Sequence, residues 1–148
     1  SFNYFNGTFS EDILISSGDV LFSWSGTVGS SFGPHLWTRK DGVLNQHIFK
    51  VLKKKEIDTK YAFYALRHIT QDIEQQVSGS VGLVHITKRR LNEFKIPVPP
   101  LPEQHRITTM LDELVKYHSE ANKLLEVELS GMDELKKSLL HQAFNGDL

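Results

Sequence analysis

Hydrophobic positions in the first half of the chain come in short runs. Ile13 to Ile15, Val20 to Trp24, His35 to Thr38 and Val43 to Val51 are rich in β-branched and aromatic residues. Ser17-Gly18-Asp19, Gly26 to Gly33 and Asp41-Gly42 separate them, a pattern that predicts several short strands joined by turns. After Asp58-Thr59 the period changes. Ala62, Leu66, Ile69 and Ile73 follow spacings of four, three and four, which draws one apolar stripe along a helix, with Asp58 or Thr59 placed to cap its start. A glycine-serine loop, Ser78 to Gly82, leads into a further strand at Leu83 to Thr87. A basic turn at Lys88-Arg89-Arg90 and an extended Lys95 to Val98 follow. The predicted fold class is α+β: a small twisted sheet with a helix packed on it.

Pro99-Pro100-Leu101-Pro102 marks a boundary, because proline disfavours helical geometry in the residue before it and is tolerated at the start of a helix. Pro102 is therefore expected to open a helix, with Glu103 in the first turn, where the helix dipole favours an anion. From there a heptad-like stripe runs through Ile107, Leu111, Leu114, His118, Ala121, Leu125, Glu128, Met132, Leu135, Leu139 and Gln142. Asn145-Gly146 supplies a stop, so the helix spans about 65 Å at roughly 1.5 Å per residue. A narrow stripe on so long a helix calls for a partner helix; the alternative is a helix folded back on the globular part. The polar entries His118 and Glu128 are placed to set register or orientation, and Gly131 to mark a bend or a close approach. The expected domains are 1–100 for the globular part and 101–148 for a coiled-coil-type helix.

Composition changes this picture little: 148 residues with 39% hydrophobic and 24% charged positions suit one modest core plus an appendage. Charge changes it more. The net charge is −1, yet the segments differ: 1–34 holds three acids and no Lys or Arg, 35–102 holds 12 basic and 6 acidic residues, and 103–148 holds 5 basic and 9 acidic. A basic middle between acidic flanks suits one anion-facing surface and a tail that binds protein, although solvated lysines on an ordinary surface give the same count. No run approaches the roughly 20 apolar residues of a membrane span and the polar start lacks a signal-peptide layout, so the expectation is a cytoplasmic protein without a membrane partner.

Candidate chemistry is sparse. Without cysteine there is no disulfide framework or thiolate metal site, and the seven histidines lack a two-histidine helical spacing for zinc. No glycine-rich cofactor fingerprint, phosphate loop or nucleophile elbow is present, so no cofactor, metal or catalytic residue is assigned. Glu93-Phe94-Lys95 has the Glu-x-Lys spacing of magnesium-dependent nucleases, but the candidate second acid, Asp72, falls in a predicted helix instead of on a neighbouring strand. A third class, a coiled-coil adaptor whose head binds protein, also fits the long stripe.

Ile96-Pro97-Val98-Pro99-Pro100-Leu101-Pro102-Glu103-Gln104, followed by Ile107, resembles the segment that closes a target-recognition domain in the DNA specificity subunits of type I restriction–modification systems. Leu139-Leu140-His141-Gln142-Ala143-Phe144-Asn145-Gly146-Asp147-Leu148 is similar to the end of that family's spacer helix. Upstream, Ser17-Gly18-Asp19-Val20-Leu21 with Gly26 and Gly29, then Asn45-Gln46-His47, then Gly79-Ser80 before Leu91, follow the family's order. The resemblance implies a target-recognition domain that lacks its first strands, followed by one spacer helix, where complete subunits hold two of each. A chain of this kind fits a fragment or a half-subunit that dimerises.

What the resemblance implies is a subunit without chemistry of its own. It would read one half of a split target in double-stranded DNA and position methyltransferase subunits and a restriction endonuclease subunit, with a homodimer formed through the long helix as a further expectation. Phosphate contacts set register and base edges carry sequence, so basic residues are expected beside polar loops. Arg39, Lys40, Lys88, Arg89 and Arg90 are the phosphate candidates, and Ser25, Thr27, Ser78, Ser80 and His85 are the candidates for reaching bases. Ile107, Leu111, Leu114, Ala121, Leu125, Met132, Leu135 and Leu139 are the expected helix–helix interface. Lys53-Lys54-Lys55 is read as a solvated turn, Trp24 and Trp37 as core, and Asn45-Gln46 as a structural pair inside a strand despite groups suited to adenine. Antiparallel spacer helices would hold two recognition domains at least one duplex turn, roughly 34 Å, apart.

Overall fold

The computed structural model describes residues 13–77 and 83–146. It divides into two compact units between Thr108 and Thr109. In the globular unit the strands are β1 (Leu14–Ile15), β2 (Val20–Ser23), β3 (Ser25–Thr27), β4 (Gly33–Leu36), β5 (Gly42–Val43), β6 (Ile48–Lys50) and β7 (Leu83–His85). The helices are α1 (Thr59–Val77), α2 (Lys88–Leu91) and α3 (Leu101–Asn145), of which α3 runs on into the second unit. The α+β class stands, with the strands among the described residues divided into three small antiparallel sheets: β4-β2-β6, β1-β5 and β3-β7.

The central strand explains the division. All four residues of β2 are buried, so it has no solvent face, and Phe22 is 0% exposed. Beyond Ser23 the extended chain changes partners at Trp24. The Trp24 N–H donates to the His47 carbonyl at 3.1 Å, continuing the β2-β6 ladder, while its own carbonyl accepts from Ile86 N–H at 2.9 Å, opening the β3-β7 ladder. One residue thus passes the strand from one sheet to the next.

Two elements differ from their predicted bounds. The strand expected at His35 to Thr38 is Gly33–Leu36, because β2 pairs Ser23 with Gly33 and the ladder starts directly at the turn. Gly33 holds φ +104°, and an added Cβ would lie 2.8 Å from the Thr70 methyl, so both backbone and space select glycine. The run Val43 to Val51 is two short strands, not one. Asn45 Oδ1 accepts from His47 N–H at 2.9 Å, and this local bond competes with the ladder and turns the chain. Asn45-Gln46 therefore lies in an exposed turn and not inside a strand.

Helix α1 buries the predicted stripe: Ala62, Ile69 and Ile73 are buried and Leu66 is half-buried. It packs against β4 and β2, and with Phe22, Phe32, Val84 and Ile86 its isoleucines Ile69 and Ile73 form the core. Phe22 and Phe32 meet edge to face at 5.9 Å. Asp58 is the cap: its Oδ1 accepts from Tyr61 N–H at 3.0 Å. Trp24 packs against the core as expected, and Trp37 is half-buried with its indole N–H donating to the Lys40 carbonyl at 2.9 Å. Lys53, Lys54 and Lys55 are exposed.

Asp19 ties β2 to β6. Its Oδ2 lies 2.7 Å from Lys50 Nζ and accepts from Ser16 N–H at 2.8 Å. Burial pushes this carboxyl up, but the Lys50 hydrogen bond, the Ser16 N–H and the Lys50 charge together outweigh it, holding the pKa below its ordinary 3.8. A depressed carboxylate stabilises the fold fully above its ordinary pKa, and the contribution is lost as pH falls through the lower folded value. Asp19→Asn is expected to cost about 1 kcal/mol at pH 7, modest because both side chains keep partial solvent access. In urea melts the gap between variant and parent should narrow as pH falls below the ordinary 3.8 and close once the folded carboxyl is protonated; a gap that is constant with pH would show that the ion pair contributes nothing.

Helix α3 starts at Leu101, one residue before the expected opening. Both Glu103 N–H and Gln104 N–H donate to the Pro100 carbonyl, at 2.9 and 3.1 Å, so Pro100 precedes the first turn. Pro102 then sits where an N–H would have no helical partner in any case. The helix passes Gly131 without interruption. Glu103 receives two hydrogen bonds from Arg106, at 2.7 and 2.8 Å, and these bonds hold its carboxylate below the usual range.

Candidate functional site

The β3-β7 ribbon brings several of the sequence-derived candidates onto one surface. Ser25 pairs with His85 and Thr27 with Leu83. Side chains on a strand alternate between faces, and here Gly26, Val84 and Ile86 point into the core. Ser25, Thr27, Leu83 and His85 therefore share the outward face, with Leu83 73% exposed. Gly26 permits this packing: an added Cβ would lie 2.7 Å from the backbone of Ser31 and Phe32, which has no freedom to yield.

The ribbon feeds directly into the basic cluster. Two residues beyond His85, Thr87 caps α2 by accepting from Arg90 N–H at 3.3 Å, and the four-residue helix holds Lys88, Arg89 and Arg90 on the surface. What was expected as a basic turn is thus a short capped helix. Arg89 reaches Glu93 only at 4.0 Å. The outward polar face and the three cations are continuous along the chain, which suits a surface that meets a polyanion.

Arg39 and Lys40 are placed elsewhere. They are exposed in the loop after β4, whose last residue, Leu36, pairs with Val20. That puts the loop beyond the far end of β2, roughly 17 Å of strand away from Ser25. Ser78 and Ser80 lie outside the described residues. Glu93 follows α2 and Asp72 is exposed on α1, so the two carboxylates do not share neighbouring strands as the nuclease reading required. Among the described residues no group of three or more His, Asp or Glu side chains is arranged to hold a metal ion.

Two features of the site escaped the sequence. Trp24 is the centre of an aromatic cluster: His85 meets it edge-on at 4.5 Å, His47 lies at 5.4 Å and Phe49 stacks at 5.9 Å. Its indole N–H donates to the Gln46 carbonyl at 3.1 Å, so the indole links the 45–47 turn to His85. Gln104 is 0% exposed and uses its whole carboxamide: Oε1 accepts from Asp58 N–H at 2.8 Å, and Nε2 donates to the carbonyls of Glu56 and Pro99 at 2.8 and 2.7 Å. The only sequence signal for either was the wording of the motifs, Asn-Gln-His and Pro-Glu-Gln.

In the second unit α3 carries an uncovered apolar surface. Of the expected interface, Ile107 and Leu111 are half-buried, whereas Leu114, Ala121, Leu125, Met132, Leu135 and Leu139 are exposed. The large ones retain 46 to 67% of their accessible surface. Met132, Leu135, Leu139, Leu140 and Ala143 line a shallow apolar concavity. No described helix is long and apolar enough to cross a membrane.

Residues 3–129 match the family described as the type I restriction modification DNA specificity domain. The chain is 30% identical over 135 residues to the type I restriction enzyme MjaVIII specificity subunit of Methanocaldococcus jannaschii, covering 90% of this chain and 30% of that protein. It is also 30% identical over 109 residues to the EcoDI specificity subunit of Escherichia coli, covering 73% of this chain and 24% of the relative. A chain solved in work on complex assembly and conformational transition of the type I R-M system superposes with a TM-score of 0.75 at 23% identity, over 94% of this chain and 33% of the other. The chain thus spans about a third or less of these proteins.

Proposed function

Because the chain belongs to the type I restriction modification DNA specificity domain family, we propose that it reads one half of a bipartite target in double-stranded DNA as part of a specificity subunit. On this reading residues 1–100 are the target-recognition domain and 101–148 the spacer helix. The chain performs no chemistry of its own and places methyltransferase and restriction endonuclease subunits on the DNA, in the cytoplasm. The observation that carries the reading is the outward face of Ser25, Thr27 and His85 on a two-stranded ribbon that leads straight into Lys88, Arg89 and Arg90. A ribbon of two strands fits the major groove, about 12 Å wide, where each base pair presents a distinct set of donors and acceptors. The cations after it would meet phosphates and fix the register.

The stripe on α3 supports the second half of the proposal. Its mate is a second spacer helix, either in the remainder of a longer subunit or in another copy of this chain, and the outer helix faces and the surface near Glu103 are left for the methyltransferase. Paired antiparallel, two such helices separate the half-sites by at least about one duplex turn.

The test is to express the chain with its own methyltransferase subunits and map modified bases across a genome. A split motif is the expected result, and a palindromic one would mean two copies of this reader. Binding to duplex DNA should weaken steeply as salt rises, because each neutralised phosphate releases counterions. Modification without sequence preference, or association indifferent to salt, would defeat the proposal and favour an adaptor that binds protein.

A further inference from the structure

We propose that Gln46 is a base-contacting residue, and that the base it reads is an adenine in the major groove of the half-site recognised by this domain. The inference rests on the DNA-reading function proposed above and deepens it. The starting point is the turn that replaces the expected strand. Asn45, Gln46 and His47 are all exposed, but their side chains are not equally available. Asn45 spends its carbonyl oxygen on His47 N–H. His47 lays its ring against Trp24 at 5.4 Å. Gln46 is anchored through its backbone alone, its carbonyl accepting from the Trp24 indole, and among the described residues its carboxamide makes no hydrogen bond.

Placement supplies the other half of the argument. Trp24 contacts both the turn and His85, the latter at 4.5 Å. His85 and its cross-strand partner Ser25 belong to the outward face of the ribbon. Trp24 thus links the 45–47 turn to His85, on the ribbon that leads to Lys88, Arg89 and Arg90. A glutamine amide offers one donor and one acceptor in a plane, which matches N7 and N6 of adenine with two hydrogen bonds and matches no other base as well. A residue fixed at its backbone keeps the rotamer freedom of its side chain but not of its Cα, which reduces the ordering cost of a contact. Trp24 is the positioning residue of this arrangement.

The experiment compares the parent chain, Gln46→Ala and Gln46→Glu, each expressed with its own methyltransferase subunits. Modified bases are mapped, and binding is measured on the resulting duplex and on its single-position variants. The alanine variant should lose roughly ten- to hundredfold discrimination at one A·T pair and keep it at every other position. The glutamate variant should move that one position toward a C·G pair, whose exocyclic amine donates to a carboxylate. Equal thermal melting of the three chains is expected, since the turn tip is exposed. An unchanged motif for both variants overturns the assignment of Gln46 while leaving the DNA-reading function intact. A parent chain that directs no sequence-dependent modification overturns both.

Discussion

Replacing Gln104 with alanine is expected to destabilise the globular unit by about 3–5 kcal/mol, among the largest single effects available in this chain. The carboxamide is fully buried and satisfies three backbone groups: Asp58 N–H, the Glu56 carbonyl and the Pro99 carbonyl. Truncation leaves all three without a protein partner, at about 1–3 kcal/mol for each that water does not reach. Glu56 is exposed and Pro99 half-buried, so water offsets part of the loss there. The damage spreads because Asp58 also caps α1. Gln104→Glu should rescue little, since it puts a carboxylate against two carbonyl oxygens in a buried site. Urea denaturation followed by circular dichroism reads the loss, and amide exchange at Asp58 locates it. A cost under about 1 kcal/mol, or slow exchange retained at Asp58, would show that Gln104 is not the latch.

On the proposed pairing of α3 with a second helix, placing glutamate at Leu125 and Leu135 together is expected to weaken association at least a hundredfold. Both are more than half exposed in the single chain, so the substitutions cost the globular unit nothing. In a helix pair each leucine contributes about 1.5–3 kcal/mol of burial, and a buried unpaired carboxylate adds a penalty beyond the lost area. Two positions together reach at least 3 kcal/mol, a factor above one hundred. Sedimentation of the chain, alone and with its methyltransferase subunits, reads the change. Helix content should fall as well, because a long helix with an unburied stripe is marginal in water. If association and helicity both survive, the seam is not where the heptads place it and the outer apolar residues, such as Leu124 and Leu129, carry the contact.

The elements that were legible in advance share one property: a period longer than local accident. The stripe of α1 and that of α3 each repeat over several turns, so the spacing alone assigned both helices and the face of α1 that is buried. Asp58 was readable as a cap because the chemistry of capping is local. The strands were less legible. β4 shifted two residues toward its turn because β2 sets its register, and a neighbour's register has no signature in the strand's own sequence. The candidate site was legible as a set of residue types and not as a set of positions. Ser25, Thr27, His85 and Lys88 to Arg90 came together, while Arg39 and Lys40 went to the other end of β2.

The sequence by itself determined the local and the periodic: short strands against helices, a proline-marked start to the last helix, an unsatisfied apolar stripe, and motifs that named a family. The tertiary structure alone decided which polar groups are spent and which remain. Gln104 and Gln46 are the same residue type, one in the first turn of α3 and the other in the turn before β6. One is sealed in the interior holding three backbone groups, and the other is exposed, with no hydrogen bond to its amide among the described residues. That difference is made by contacts 46 and 48 residues away for Gln104 and 22 residues away for Gln46. Hydrogen bonding is short in range in space but not along the chain, so no window of sequence contains the partners that give each glutamine its role.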